Sequence, residues 1–272
     1  MSKRTEQNLG YKSEFHRNFI KAFKCLTERH GRFDVWSDFV IMSACAISNA
    51  CDRRFFKERE EEYLKCVKKY SKKELELFPE MFSQLVLALD RHSEQDFLGE
   101  IFGALNLHNE WHGQFFTPYH IGEFMAKLNL TNLPEEVKDK DVITVSDPCC
   151  GAGCLLIACA NEAHKMNVNY QEKLMFFAQD IDRIAALMCY IQLSVLGCKA
   201  VVKIGNSLTE PLTADEPMNA NIWLTPMLTC GKMFHIISQM SEIREEEHND
   251  GEEKVSKNPD KTSSNLEGEI PA

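Results

Sequence analysis

No apolar run in the 272-residue chain approaches the roughly 20 residues that cross a bilayer, so a membrane-spanning segment is not expected. The opening residues, MSKRTEQNLGYKSEF, lack the apolar stretch of a secretory leader. The 11 cysteines fall at none of the CxxC or histidine spacings of a structural zinc site, so no metal is expected. Their odd number and their places inside apolar patterns suit reduced thiols acting as small apolar residues in a cytoplasmic protein. Positive charge is also scarce. A formal net charge of −10 argues against a protein that grips DNA unaided through a broad basic face. The charge is uneven, however, because residues 1–73 hold 17 Lys+Arg against 10 Asp+Glu. Two readings of that basic third stay open: contact with nucleic acid or an acidic partner, and solvated helix faces.

What is present is the makeup of a globular protein, 44% hydrophobic and 26% charged, long enough for one large domain or two smaller ones. From about Ser13 to Leu107 the periodicity is helical. Phe15, Phe19, Ala22, Phe23 and Leu26 recur on one face, as do Phe82, Leu85, Val86 and Leu89. A helix is expected to begin near Asp34 or Ser37, either of which can cap it, and Lys57–Lys73 reads as a surface helix. Strand-like patterns start only at Asp141. Val142–Val145, Leu174–Ala178 and Val201–Ile204 read as strands, with Ile222–Leu224 as a candidate fourth, and Gly153–His164 and Ile184–Leu196 read as helices between them. Alternation of this kind implies parallel βαβ units and a doubly wound α/β sheet. The layout expected is a helical N-terminal domain over 1–107, an α/β domain over 108–240, and a polar, disordered acidic tail over 241–272.

In open α/β sheets ligands gather at the carboxyl ends of strands. Asp147-Pro-Cys-Cys-Gly-Ala-Gly153 follows the first strand, where Gly151 and Gly153 let a ligand approach the backbone closely. The helix after them offers free N–H groups and a positive dipole end. Asp180 ends the next strand, 27 residues beyond Gly153, where a carboxylate can accept both hydroxyls of a ribose. A ribose-bearing cofactor with an anionic group is favoured over a tight turn that binds nothing. A dinucleotide fingerprint would want a third glycine where Leu156 stands. The Asp-Pro-x-Cys-Gly-x-Gly string resembles instead motif I of amino-methyltransferases that use S-adenosyl-L-methionine.

Upstream, Gly113-Gln-Phe-Phe-Thr-Pro-Tyr-His120 precedes a helix whose apolar face is read as Ile121, Phe124, Met125 and Leu128, with Thr117 as cap and Pro118 at the first helical position. The GQFFTP run is similar to motif X of the type I restriction–modification methylation subunits, the adenine-N6 DNA methyltransferases. Phe177-Ala-Gln-Asp-Ile-Asp-Arg183 and the helix ending Leu193-Ser-Val-Leu-Gly197 resemble that family's acidic motif and following helix. Gly205-Asn-Ser-Leu208 resembles its GDxL segment, with Asn206 in place of Asp. The resemblance, spanning roughly Asp96 to Leu208, implies a Rossmann-like methyltransferase sheet behind an all-helical N-terminal part. It implies that Phe116, Thr117 and Pro118 line the methionine end of S-adenosyl-L-methionine and that Asp147, Pro148, Gly151 and Gly153 shape the turn around it. By the same resemblance Asp180 holds the ribose, Ile181 beside it is a further cofactor-binding residue, and Asn206 sits by the adenine.

The family's Asn-Pro-Pro-aromatic motif, which accepts the hydrogens of the target amine and stacks the flipped base, is replaced here. Asn221-Ile-Trp-Leu-Thr-Pro-Met-Leu228 stands at the corresponding place, so Thr225 and Pro226 become the degenerate catalytic candidates. Family members also run on well past this motif, whereas only Gly231 to about Met240 precedes the polar tail here. Two functions follow from the resemblance. One is an adenine-N6 DNA methyltransferase-like subunit of a restriction–modification type complex, reaching DNA through a specificity or second methylase-like subunit. The other is a catalytically inactive, cofactor-binding regulatory or scaffolding subunit. A nicotinamide-dependent enzyme on the same fold is the third and weakest reading.

Overall fold

The computed structural model describes residues 13–107, 116–213 and 218–230. Ahead of the sheet come helices α1 (Glu14–Leu26), α2 (Arg32–Cys51), α3 (Phe56–Val67), the short α4 (Lys72–Leu75), α5 (Leu77–Arg91), α6 (Phe97–Ala104), α7 (Tyr119–Asn129) and α8 (Leu133–Asp139). Then β1 (Ile143–Asp147), α9 (Cys154–Lys165), the one-turn α10 (Tyr170–Lys173), β2 (Leu174–Asp180), α11 (Arg183–Val195) and β3 (Ala200–Ile204) alternate. A three-residue β4 (Ile222–Leu224) and the one-turn α12 (Pro226–Thr229) close the described chain. The result is a mixed α/β fold, with no strand before Ile143 among the described residues. The expected tail beyond 241 and the Trp111–Phe115 part of the aromatic run lie outside those residues.

The sheet order is β1-β2-β3-β4. The first three strands are parallel, Val145 facing Phe176 and Ala178 facing Val202. The fourth departs from the expected βαβ pattern. It pairs antiparallel with β3, Val201 against Leu224 and Lys203 against Ile222. The described residues between Ile204 and Ile222 hold turns and no crossover helix, so the chain doubles back along β3 instead of returning parallel.

Why α11 sits where it does follows from its composition. Ile184 to Leu193 is buried at every position, the mark of a helix covered all round. It packs on β2 and β3 on one side and against α2 on another. One core of buried side chains runs from Phe19 to Trp223, and residues up to Gly231 form one compact unit. The change at residue 107 is therefore a change of element type inside a shared core. Arg59 of α3 shows the join: it is buried, its guanidinium lies 4.1 Å from the Trp223 ring centroid, and it donates to the Ile222 carbonyl at 2.8 Å.

Three local expectations need correction. Helix α2 begins at Arg32 with Gly31 as its cap, so Asp34 lies within the first turn and Ser37 inside the helix. Pro118, not Thr117, is the cap of α7, and Thr117 makes no capping bond. The apolar face read into α7 is turned outward. Phe124 is 60% and Leu128 63% exposed, with Ile121 and Met125 also exposed. Gly122 and Ala126 are the buried positions instead. A side chain at Gly122 would meet Cys154 Sγ at 3.2 Å and Ala158 Cβ at 3.4 Å. Close approach between α7 and α9 through small residues decided the packed face, not the bulk of the apolar ones.

Candidate cofactor site

The carboxyl ends of β1, β2 and β3 converge on the glycine turn. Gly151 has φ +52° and Gly153 φ +95°, both in the left-handed region where a Cβ is penalised. Space imposes the same choice. A Cβ at Gly151 would stand 3.0 Å from Phe116 Cδ1, and one at Gly153 2.9 Å from Cys189 Sγ. The turn is tied to the neighbouring strands by backbone bonds. Cys150 N–H donates to Gln179 O at 2.9 Å, Gly153 N–H to Cys150 O at 2.8 Å, and Gly205 N–H to Asp180 O at 2.9 Å.

Asp180 is half-buried and sits directly under the turn. Its Oδ2 accepts from Gly151 N–H at 2.8 Å and its Oδ1 from Asp182 N–H at 2.8 Å. The Ile181 N–H also bears on this carboxylate, and with about four acceptor sites in all it both braces the turn and retains acceptor capacity for a hydroxyl. Burial pushes its carboxyl above the ordinary range, and the N–H groups of Asp182 and Gly151 pull it part of the way back. Its neighbour Ile181 is 68% exposed at the rim.

Asp147 is buried at the end of β1. Its Oδ1 accepts from Cys149 N–H at 3.1 Å, while its Oδ2 is buried with no hydrogen-bond partner among the described residues. Burial raises this carboxyl, with Asp180 adding to the rise. A groove of about 530 Å³ beside β1 is lined by Ala126 and Leu130 and by Asp147 and Pro148. Pro148 is exposed.

Phe116 is half-buried against Gly151 and meets Phe102 of α6 edge-on, 5.1 Å between centroids. Thr117 and Pro118 are exposed. The Asn206 loop reaches the turn from the other side, since Ser207 Oγ lies 4.0 Å from Cys149 Sγ. Asn206 Oδ1 accepts from Leu208 N–H at 2.9 Å, so its NH₂ is the end left to meet a ligand. Gln179 shapes that loop: its Nε2 donates to Glu210 O at 2.9 Å and its Oε1 accepts from Leu212 N–H at 2.7 Å.

Thr225 and Pro226 are not brought to this site. Thr225 is fully buried; its hydroxyl donates to Cys198 O at 2.7 Å and accepts from Ala200 N–H at 2.9 Å. Cys198 and Ala200 mark the amino end of β3, whereas the glycine turn lies at the carboxyl ends. Because β4 is antiparallel, its last residue exits at the wrong end of the sheet and along the edge farthest from β1.

Two polar residues that sequence patterns did not single out also bear on the turn. Gln192, fully buried on α11, donates to Ala152 O at 2.8 Å and to Asp96 Oδ1 at 2.7 Å. Asp96 caps α6 through Gly99 N–H at 2.9 Å. A carboxamide inside an otherwise apolar helix was the one available signal. All 11 cysteines are free, and among the described residues no cluster of His, Cys, Asp or Glu could hold a metal ion. No helix among them is long and apolar enough to cross a membrane.

Residues 94–226 match the family model described as N-6 DNA Methylase. That segment belongs to the N-6 DNA methylase family. The match begins just before Asp96 and takes in the glycine turn, Asp180, Asn206 and Thr225. No solved structure matches the chain. For this N-6 DNA methylase segment, adenine-directed DNA methyltransferase-like function is the family-level expectation, with DNA as the substrate that the family implies.

Proposed function

We propose that the chain is an S-adenosyl-L-methionine-binding, adenine-N6 DNA methyltransferase-like subunit that holds its cofactor on the Gly151–Gly153 turn. The observation that carries this reading is the acidic character of the turn. Asp147 has a buried unpartnered oxygen, Asp180 lies beneath Gly151, and the charge of one raises the other. Carboxylates in that arrangement suit a ligand that carries ammonium and sulfonium charges, and they oppose a pyrophosphate. This favours the methyl donor over a nicotinamide dinucleotide on the same sheet.

In this reading the sheet is a Rossmann-like methyltransferase sheet, and the chain's residues divide the ligand between them. Phe116 packs beside Gly151 as an aromatic wall, with Thr117 and Pro118 at its rim. Asp147 and Pro148 close the floor and Asp180, next to Ile181, accepts the ribose hydroxyls. The Asn206 NH₂ donates to the base. When bound, the cofactor supplies an electrophilic methyl group; the protein's part is to hold and orient it.

The position of Thr225 bears on the rest of the chemistry. A target amine must meet acceptors at the carboxyl end of the sheet, and Thr225 and Pro226 are at the other end. Two assemblies accommodate that. In the first, the chain works in a restriction–modification type complex whose specificity or second methylase-like subunit brings DNA. In the second, it is a cofactor-binding regulatory or scaffolding subunit, and the buried Thr225 favours this one for the isolated chain.

Calorimetric titration with S-adenosyl-L-methionine tests the pocket. Saturable heat that S-adenosylhomocysteine competes away is expected; none at millimolar ligand would overturn the proposal. Transfer of labelled methyl to adenine-containing DNA, with and without candidate partner subunits, separates the two assemblies.

A further inference from the structure

We infer that Gln192 and Asp96 are positioning residues for the glycine turn, and that α6 is the frame on which both walls of the site are hung. The inference rests on the cofactor reading of that turn. Gln192 is a carboxamide in a helix whose neighbours are apolar and buried, a costly place for a polar group unless every end is bonded. Its ends are bonded in a directed way. Oε1 accepts from Leu98 N–H at 3.0 Å, while Nε2 donates to Asp96 Oδ1 at 2.7 Å and to Ala152 O at 2.8 Å.

The chemistry of the ends matters. Ala152 sits between two glycines of positive φ, and holding its carbonyl inward fixes the peptide plane that leads into α9. Only an NH₂ at that point serves two acceptors at once, and Asp96 decides which end of the carboxamide faces the turn. Asp96 in turn is held by Gly99 N–H at 2.9 Å, and any Cβ at Gly99 would collide with Asp96 Oδ2. The same helix carries Phe102, which stacks edge-on against Phe116. Helix α6 thus sets the aromatic wall through Phe102 and the glycine wall through Asp96, Leu98 and Gln192.

The test compares Gln192→Glu, Gln192→Met and Asp96→Asn with Leu85→Ala, a core truncation in α5, on the full chain. Amide hydrogen exchange is read at Gly151 and Gly153 without ligand, and S-adenosyl-L-methionine affinity by calorimetry. Gln192→Glu keeps the Leu98 bond but sets an oxygen against Asp96 and the Ala152 carbonyl. Both glycine amides should exchange at least tenfold faster than in the wild type, and affinity should fall at least tenfold. Gln192→Met should do the same, and Asp96→Asn, which keeps an acceptor oxygen, should stay within about threefold on both readouts. Leu85→Ala should lower the thermal midpoint without the selective change at Gly151 and Gly153. Wild-type exchange at those amides in Gln192→Glu, or an equal change in Leu85→Ala, would overturn the inference. Failure of the wild type to bind S-adenosyl-L-methionine would sink the cofactor reading alone, because the exchange measurement still decides the brace.

Discussion

Replacing Gly153 by alanine separates two costs that the turn imposes together. The first is conformational: φ +95° with ψ 12° is a backbone state that L-residues rarely hold, costing about 1–2 kcal/mol for a residue with a Cβ. The second is steric. The new Cβ would lie 2.9 Å from Cys189 Sγ and 3.4 Å from Cys189 Cα, an overpacking that costs about 1–3 kcal/mol. Gly153→Ala should therefore destabilise by about 2–5 kcal/mol, a large share of the stability of an ordinary domain. Cys189→Ala alone should cost about 1 kcal/mol for the buried atom it removes. In the double variant the sulfur is gone, and the backbone cost remains beside contacts of 3.4 Å to the Cα and Cβ of residue 189. The two changes should then be sub-additive by about 1–3 kcal/mol. Urea unfolding at constant slope measures all four proteins. Gly103→Ala is the control: nothing lies within 4 Å of its added Cβ, and in an exposed helical position it should stabilise by about 0.5–1 kcal/mol. Gly153→Ala within 0.5 kcal/mol of the wild type, or strict additivity with Cys189→Ala, would refute the description of the turn.

Burial pushes the Asp96 carboxyl up to about 6, against about 3.9 in the unfolded chain. The folded state therefore holds its proton more tightly, so this group favours folding as pH falls from about 6 towards 4 and opposes it by a constant amount above that. The stability of the wild type minus that of Asp96→Asn should rise by roughly 2–3 kcal/mol between pH 7 and pH 4; a flat difference in urea titrations would mean that the carboxyl is not perturbed. Asp180→Asn loses one of two N–H acceptors beneath Gly151 and should cost about 1–3 kcal/mol of stability. It should also weaken S-adenosyl-L-methionine binding, and unchanged calorimetric affinity would remove the ribose from that position. Arg59→Ala breaks the buried contacts to Asp52, Ile222 O and the Trp223 ring. It should cost about 3 kcal/mol, seen as a lowered urea midpoint with cofactor affinity kept.

How much of this was legible in residues alone depended on the range of the interaction. The glycine turn was readable because its cause is local: a β-branched strand, two glycines and a helix occupy one short stretch, and Asp180 ends the next strand. The strands and α11 were placed within a few residues for the same reason. The outward face of α7 was not readable, because four apolar side chains make a better periodic pattern than Gly122 and Ala126, and only the approach of α9 reveals that the small residues are the contact. Gln192 and Asp96 escaped because their bonds join residues 96, 98, 152 and 192, which no spacing rule connects.

Thr225 gives the strongest case of alignment parting from geometry. Read as a string, Thr225-Pro-Met227 follows a strand, as a catalytic motif should. The direction of that strand is not encoded in it. Direction was set by the connection before it, which lacks a crossover helix among its described residues and returns the chain antiparallel along β3. Once reversed, the strand delivers Thr225 to the amino end of β3, where its hydroxyl completes the ladder through Cys198 O and Ala200 N–H. Thr225→Val should then cost about 1–3 kcal/mol of stability through the unmet backbone groups and leave cofactor affinity unaltered. Thr225→Asn should not raise methyl transfer, since restoring the family's residue type at the wrong end of the sheet restores nothing at the turn. Labelled methyl incorporation by Thr225→Asn above the wild-type level would show that this end of the chain reaches the cofactor after all.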